Sequence, residues 1–192
     1  MARKLTGAEL SRSQSNRGKD LEQAIDAVHY LYRSEGLAYP IRNHPEIRIQ
    51  RRDRKGAIVG YLKAKAEPDY IVVANETALI FDAKRSSKRN FPLQNIHPHQ
   101  ADALSRADGA GAFAFLLIQT PDGRYVVPWG EIVVKYRRWV RKDFKRGTGA
   151  TALSAVELAE LSIVSFRRRE SPDYLDAVLD ALSPLQCSQE EP

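Results

Sequence analysis

Apolar residues recur at helical spacing in the first third of the chain. Four of them stand three or four positions apart and predict one buried helix face: Leu21, Ile25, Val28 and Tyr32. Asn16 favours a helix start and Gly36 favours a stop, so we predict a helix from residue 16 to about residue 34.

The middle of the chain carries two kinds of strand pattern. Residues 46–52 and 58–66 alternate apolar with polar side chains around a strongly charged linker, which predicts an exposed β-hairpin. Residues 69–74 and 77–84 are apolar runs separated only by Asn75 and Glu76. Such runs predict two buried antiparallel strands joined by a tight turn.

Helix and strand patterns alternate through the rest of the chain. A helix is predicted over 97–108, followed by a buried strand over 112–119 and a further strand over 124–129. This order predicts an α/β fold with a mixed central sheet flanked by helices. Helical patterns also cover residues 130–146, 153–161 and 172–182.

Length and composition predict one folded domain with appendages. The chain has 192 residues, of which 43% are hydrophobic and 28% charged, proportions that exclude wholesale disorder. We expect a flexible basic arm over 1–15, the main domain over 16–146 and a helical C-terminal extension over 147–192.

Charge and cysteine content narrow the function classes. The net charge of +6, with a pI near 9.5, favours a polyanionic partner. Cys187 is the only cysteine, so an intramolecular disulfide and a cysteine-based zinc cage are excluded, and a reducing compartment is favoured. The sequence has no apolar run of the ~20 residues that a membrane span needs, and no secretory signal pattern. We therefore expect a cytoplasmic protein with no membrane partner.

Two acidic residues and a lysine stand at the ends of the two predicted buried strands. Asp69 begins the first strand, and Asp82 and Lys84 end the second. Side chains two positions apart on a strand share a face, and a tight turn places these strand ends side by side. Asp69, Asp82 and Lys84 can therefore meet, offering oxygen ligands for Mg²⁺ and a cation to orient water and offset phosphate charge. Phosphodiester hydrolysis is the chemistry that this set suits.

Several short motifs carry a resemblance to a known family. Pro68-Asp69 and Asp82-Ala83-Lys84 match the PD-(D/E)xK nuclease motif. Asn16-Arg17-Gly18-Lys19 with Leu21-Glu22, Phe91-Pro92-Leu93, and the segment from Asn95 to Gln100 are similar to RecU-type Holliday junction resolvases. The resemblance runs from about Asn16 to Ile132 and includes Val127-Pro128-Trp129, with no counterpart recognised past Gly147.

This resemblance implies a fold and an activity. It implies a restriction-endonuclease-like core, with the hairpin at about 46–66 as a stalk that enters an open four-way DNA junction. It also implies a homodimer whose activity depends on Mg²⁺, with Mn²⁺ as a substitute, and needs no small-molecule cofactor. The DNA products would carry 5′-phosphate and 3′-hydroxyl ends. Asp82 departs from the family pattern, in which Glu is more frequent, but keeps the carboxylate.

The resemblance also extends the candidate site. It implies that Glu22 binds the metal or its water shell and that Gln100 contacts the water or the scissile phosphate. The alternatives are a solvated helix charge for Glu22 and a surface position for Gln100. Arg17 and Lys19, in the motif that opens the first helix, are candidate DNA contacts.

Basic side chains cluster in three further places. A loop that follows the catalytic strand carries Arg85, Lys88 and Arg89, which we expect to bind phosphates. The hairpin tip carries Arg51, Arg52, Arg54 and Lys55, either as junction contacts or as an ordinary charged turn. In the basic segment 130–146, Trp139 either stacks on bases or anchors a helix in the core.

Alternatives of other classes stay open at this point. The chain can be a nuclease of the same fold that acts on other DNA in restriction or repair, or a junction-binding protein that does not cleave. The intact acidic pair with its lysine argues against the second. His97 and His99 form a pair that zinc sites use, yet the sequence offers no third and fourth ligand at useful spacing, so capping, packing or a phosphate contact is favoured.

Overall fold

A mixed β-sheet with helices on both faces organises the protein. The computed structural model describes residues 7–52, 54–64, 68–142, 151–161, 164–166, 173–176, 178–179 and 182. The helices are α1 (Gly7–Ser34), α2 (Pro98–Gly109), α3 (Trp129–Val140) and α4 (Ala155–Leu161), and a 3₁₀ turn spans Leu93–Asn95. The strands are β1 (Tyr39–Arg42), β2 (Glu46–Arg52), β3 (Ile58–Ala64), β4 (Tyr70–Ala74), β5 (Thr77–Arg85), β6 (Phe91–Pro92), β7 (Phe113–Thr120), β8 (Gly123–Pro128), β9 (Ala152–Leu153) and β10 (Val164–Phe166).

The main sheet has six strands in the order β1-β4-β5-β7-β8-β10. Strands β1, β4 and β5 are antiparallel, as are β7, β8 and β10, whereas β5 and β7 are parallel. A parallel pair needs a crossover connection, and α2 supplies it. The predicted α/β fold class, with a mixed central sheet between helices, is confirmed.

Two hydrophobic clusters lie on opposite faces of this sheet. The first packs α1 and the C-terminal segment against one face, and its largest members are Ile25, Tyr32, Tyr70, Phe81, Phe115 and Tyr174. The second packs α2, α3 and α4 against the other face, and it includes Leu104, Leu116, Val127, Trp129, Ile132 and Leu158. Because strand side chains alternate between the faces, each sheet position belongs to the α1 face or to the α2 face.

Helix α1 confirms the predicted apolar face but starts earlier than predicted. Leu21, Ile25, Val28 and Tyr32 are all 3% exposed or less. The helix begins at Gly7, so Asn16 lies inside it and the prediction of a start at Asn16 was wrong. Residues 7–15, assigned above to a flexible arm, continue the helical backbone, because their polar sequence contains no proline to interrupt it.

The tight turn between β4 and β5 is confirmed. Asn75 and Glu76 have φ values of 45° and 61°, which are the left-handed angles of a two-residue hairpin turn. Tyr70 pairs with Phe81 and Ala74 with Thr77, so the register is unbroken from the turn to the far end of the strands. A two-residue turn leaves no slack, and this register sets the geometry of the site described below.

The predicted hairpin is confirmed as a separate two-stranded sheet. Strand β2 pairs only with β3, and every residue of β2 is exposed. Gly60 is required where the two strands cross closely, because a Cβ there would lie 2.7 Å from the backbone oxygen of Arg48.

The C-terminal segment contributes to the core on the α1 face. Tyr174, Leu175 and Val178 are at most 1% exposed. The Tyr32 hydroxyl donates to Asp173 at 2.7 Å and accepts the backbone N–H groups of Tyr174 and Leu175 at 3.1 and 3.2 Å. One tyrosine of α1 therefore caps the start of this segment.

Helices over 97–108 and 153–161 are confirmed as α2 and α4, and the segment 130–146 is helical as α3 up to Val140. Trp129, predicted to end a strand, begins α3 instead. Trp139 is half-buried against the core with its ring 5.7 Å from that of Tyr136, which favours the packing alternative. Cys187, Lys145 and Arg146 lie outside the described residues.

Four short strands were not predicted from the sequence: β1, β6, β9 and β10. Each has two to four residues, too few to show a period. Within the described ranges, no helix combines the length and the apolar character that crossing a membrane requires.

Candidate active site

The two predicted carboxylates meet at the end of the β4–β5 pair. The register that joins Tyr70 to Phe81 brings Asp69 opposite Asp82. The backbone N–H of Asp69 donates to Asp82 Oδ1 at 2.8 Å, and the backbone N–H of Ala83 donates to Asp69 Oδ2 at 3.2 Å. Each carboxylate is thus held by the other strand's backbone.

Lys84 and Gln100 complete a four-residue group on the α2 face. Lys84 Nζ lies 3.7 Å from Asp82 Oδ2 and donates a 2.7 Å hydrogen bond to Gln100 Oε1. Gln100, in the first turn of α2, also accepts the backbone N–H of His97 at 3.3 Å. The helix start thereby fixes the amide, and the amide fixes the lysine. The side chain of Lys84 is only 12% exposed, so its ammonium group is held inside the site.

The site concentrates negative charge in a buried place. Asp82 is fully buried, and its Oδ2 atom accepts no hydrogen bond within the described part of the chain. Burial, together with the charge of Asp82, raises the pKa of Asp69 from 3.8 to about 6, although Lys84 acts in the opposite direction. A buried carboxylate oxygen without a donor is costly unless something else neutralises it, and a cation is the natural partner.

Asn43 braces the backbone at Asp69, and sequence reasoning missed it. Its backbone N–H donates to the carbonyl oxygen of Asp69, and its side-chain amide donates to that of Pro68, both at 2.9 Å. Asn43 directly follows β1, so it was hidden by the failure to predict that strand.

Glu22 lies outside this group. It belongs to α1, which covers the opposite face of the sheet, and there it forms an ion pair with Arg42. Arg42 also pairs with Asp26, so two acids of α1 share one arginine of β1. The side chain of Glu22 is 44% exposed. Its assignment to the metal site therefore stays a prediction.

The predicted basic residues that directly follow Lys84 in the chain lie beside the site. Arg85 approaches Asp20 of α1 at 3.5 Å, and Arg89 forms a 2.9 Å ion pair with Asp122. The loop between them is held by Ser86, which accepts the backbone N–H of Lys88 at 3.1 Å. The side chains of Arg17 and Lys19 lie outside the described part of the structure, as does Asp53 at the hairpin tip.

The histidine pair lies at the start of α2. The rings of His97 and His99 stack with centroids 5.5 Å apart. In the described ranges, no group of three or more His, Cys, Asp or Glu side chains is placed to hold a metal ion. The acidic part of the site, as described, is the pair Asp69 and Asp82.

Comparison with known proteins identifies a protein family that matches most of the chain. The family described as "RecU: Recombination protein U" matches residues 16–178. The resemblance therefore extends well past Ile132, and the prediction of no counterpart beyond Gly147 was wrong. Tyr174, Leu175 and Val178 explain the extension, because they pack into the core of the domain.

Individual relatives match over part of their length. A Holliday junction resolvase RecU from Shouchella clausii is 34% identical over 111 residues, covering 55% of this chain and 54% of that protein. One from Limosilactobacillus fermentum is 32% identical over 131 residues, covering 64% and 62%. The chain thus spans between half and two thirds of the length of these two relatives. The solved structure of Hjc, a Holliday junction resolvase from Archaeoglobus fulgidus, is similar at 16% identity and a TM-score of 0.37, covering 60% of this chain and 75% of that one.

Proposed function

The chain belongs to the RecU family of recombination proteins, and from this premise we propose that it is a structure-specific endodeoxyribonuclease that resolves four-way (Holliday) DNA junctions. The observation that carries the proposal is the buried group of Asp69, Asp82, Lys84 and Gln100 at the ends of β4 and β5. The relatives named above as Holliday junction resolvases support the choice of substrate. We place the reaction in the cytoplasm, where the cell's junction DNA and a reducing medium for Cys187 are found.

The residues present fit a divalent cation. Asp82 Oδ2 is a buried oxygen that accepts no hydrogen bond in the described structure, and Asp69 holds its proton more tightly than an ordinary carboxyl does. Both features are expected where two neighbouring carboxylates form a binding site for a divalent cation. Asp69 and Asp82 would hold Mg²⁺, with Mn²⁺ as a substitute, and Glu22 would reach the metal or its water shell if Arg42 released it. A bound divalent ion would supply positive charge to the scissile phosphate.

Lys84 and Gln100 give the site its own contribution to catalysis. A lysine ammonium has three donors, and here one is directed at Gln100 and the ion pair draws another toward Asp82. The third is left to orient a water molecule against phosphorus and to offset the negative charge that grows on the phosphoryl oxygens. The water oxygen bonds to phosphorus as the bond to the 3′ oxygen breaks. The products are a 5′-phosphate, which carries the water's oxygen, and a 3′-hydroxyl, which takes up the proton that the water loses.

Positively charged side chains would hold the DNA over this edge. Arg85, Lys88 and Arg89 follow the catalytic strand directly, and Arg17 and Lys19 belong to the helix that covers the other face. Arg51, Arg52, Arg54 and Lys55 lie on the projecting hairpin, which we assign to the crossover of the junction. Contacts of this kind position phosphates and do not read sequence.

The central test separates cleavage from binding. Asp69→Asn, Asp82→Asn and Lys84→Ala should each lower the rate at which a synthetic four-way junction is cut in Mg²⁺ by about 100-fold or more, since each removes charge from the reacting centre. Junction binding without divalent cation, measured by gel shift, should persist because the basic surface is intact. Asp108→Asn, at the exposed far end of α2, is the matched control and should cleave normally.

Substrate choice decides between the proposed function and its alternatives. Forks, flaps and plain duplex should be cut far more slowly than the four-way junction. Equal rates on all four would indicate a general DNA nuclease of this fold. Tight junction binding by wild-type protein that never cleaves in Mg²⁺ or Mn²⁺ would indicate a binding protein. Full activity in Asp69→Asn or Asp82→Asn would refute the site assignment.

A further inference from the structure

A row of polar side chains crosses the neighbouring strands β5, β7 and β8 at the strand ends that carry the active site. Arg85 of β5 pairs with Gln119 of β7, and Gln119 pairs with Arg124 of β8. Each is separated by an even number of positions from a strand residue in the cluster beneath α1, so all three point to the α1 face. The row therefore lies on the opposite face of the sheet from Lys84, although Arg85 is its next neighbour in the chain.

Arg124 is unusual because it is a buried cation beside another cation. It is only 9% exposed, and its Nε–H donates to the neutral amide of Gln119 at 3.4 Å. Burial, together with the nearby charge of Arg85, lowers the pKa of Arg124. Two strand spacings separate the arginine Cα atoms by about 10 Å, and two long side chains can both reach a small group lying between them.

The acids described near this row are few and are already engaged. Asp20 approaches Arg85 at 3.5 Å from α1, and its side chain is 68% exposed, so water screens much of that attraction. Asp122, in the turn before β8, pairs with Arg89. Among the side chains that the structure describes here, positive charge therefore exceeds negative charge, and an anion placed against the row would be favoured.

We infer that Arg124, with Arg85 and Gln119, binds a DNA backbone phosphate next to the one that is cleaved, and that Arg124 is a positioning residue. The inference rests on the proposed function, because it takes junction DNA as the ligand. Arg85 directly follows Lys84 in the chain. A DNA strand that runs across these strand ends would therefore place one phosphate at Lys84 and a neighbouring phosphate at the row formed by Arg85, Gln119 and Arg124. Guanidinium groups suit this role, since their planar donors match phosphate oxygens.

The test measures how DNA binding depends on salt. Arg124→Met keeps the apolar volume of the side chain and Arg124→Gln keeps a hydrogen-bonding group, and both remove the charge. Binding to a four-way junction without divalent cation is measured from low to moderate salt. A lost phosphate contact should weaken binding about tenfold and reduce the slope of log affinity against log salt by about 0.9.

Three comparisons make the result specific. Arg124→Lys keeps the charge and should restore the salt slope, which a purely structural role would not predict. Arg33→Gln is the matched control, since Arg33 lies in the last turn of α1 at the far end of the sheet and should leave the slope unchanged. Arg85→Gln combined with Arg124→Met should cost less than the sum of the single changes, because both serve one phosphate.

The outcome is separable from that of the proposed function. Thermal melting first establishes that each variant is folded, and the slope is measured on duplex arms as well as on the junction. Wild-type protein that binds junctions no better than duplex would count against the proposed function but would leave the slope comparison valid. An unchanged slope and affinity in folded Arg124→Met and Arg124→Gln would overturn the inference, whatever the protein cleaves.

Discussion

At the level of single residues, the site depends on a reciprocal arrangement of backbone and carboxylate. Each aspartate accepts an N–H from the other's strand, which fixes both carboxylates. The hydrogen bond from the Ala83 backbone favours the charged form of Asp69, whereas burial and repulsion by Asp82 oppose it. For Asp69 the opposing effects win, and its pKa rises to about 6.

This balance predicts a pH dependence that the metal should modify. With limiting Mg²⁺, the single-turnover cleavage rate should fall as the pH drops through about 6, because protonated Asp69 cannot bind the cation. Saturating Mg²⁺ should move the midpoint to lower pH, since the cation competes with the proton. Rates measured from pH 5 to 8 at two Mg²⁺ concentrations check this. A cleavage rate that does not change over this pH range, or a pH midpoint that is the same at both Mg²⁺ concentrations, would contradict the prediction.

The same pKa shift has a consequence for stability. The folded pKa of Asp69 lies above its ordinary value of 3.8, so the stabilisation from holding its proton is present below about pH 4 and is lost as the pH rises toward 6. Above that range, ionised Asp69 destabilises the metal-free fold. Asp69→Asn should therefore melt at a higher temperature than wild type at pH 7.5 in EDTA, and the difference should shrink as the pH falls and vanish only below about pH 4. A lower melting temperature for the variant at pH 7.5 would refute the sign.

Residue-scale prediction from the sequence succeeded where geometry is short-range. Two positions on one strand share a face, and a two-residue turn fixes the register, so the meeting of Asp69, Asp82 and Lys84 followed from spacing alone. Gln100 was reached only through resemblance to a family. Arg124 could not be found, because its significance arises from a neighbour two strands away.

At the level of elements, the hairpin of β2 and β3 stands apart from the core. It carries apolar side chains that are more than one third exposed: Ile47, Ile49, Ile58, Val59 and Tyr61. An isolated two-stranded ribbon is marginally stable in water, and exposed apolar groups on it favour contact with another surface. The tip adds positive charge, which suits the centre of a four-way junction.

The hairpin prediction compares branched with unbranched DNA. Replacing Arg51, Arg52, Arg54 and Lys55 with alanine should weaken four-way junction binding by about 10- to 100-fold and duplex binding by much less, because only a junction offers phosphates around a central opening. Gel-shift titrations of both substrates at one salt concentration provide the comparison. Equal losses on both would mean that the tip is a general phosphate contact and would favour the broader nuclease alternative.

Elements long enough to repeat their hydrophobic pattern several times were predictable, and short elements were not. Helix α1 and strands β4, β5, β7 and β8 each carry enough apolar positions to show their spacing. Strand β1 is four residues long and contains Pro40, a residue tolerated at the sheet edge but read in sequence as a break. The backbone N–H groups of Tyr174 and Leu175 donate to the hydroxyl of Tyr32, more than 140 positions earlier, and no local pattern reveals such a contact.

At the level of the whole molecule, one chain offers one site. The described residues place one acidic pair and one buried lysine together at the ends of β4 and β5. Resolving a four-way junction requires nicks in two opposed strands, so a single site would have to release the DNA and bind it again between cuts. A two-fold dimer matches the symmetry of the junction and removes that step.

We therefore expect a homodimer whose two sites act within one complex. Mixing wild-type protein with Asp69→Asn, after exchange of subunits, should give heterodimers that nick one strand of a supercoiled cruciform plasmid and leave the opposed strand intact. One nick yields the relaxed circle and two coordinated nicks yield the linear form, so increasing the share of Asp69→Asn should shift product from linear to relaxed. Asp108→Asn serves as the control partner and should leave the linear fraction unchanged. Sedimentation as a monomer at assay concentrations, or linear product that stays at the undiluted wild-type fraction, would rule out paired sites and leave a metal-dependent nuclease that cuts one strand at a time.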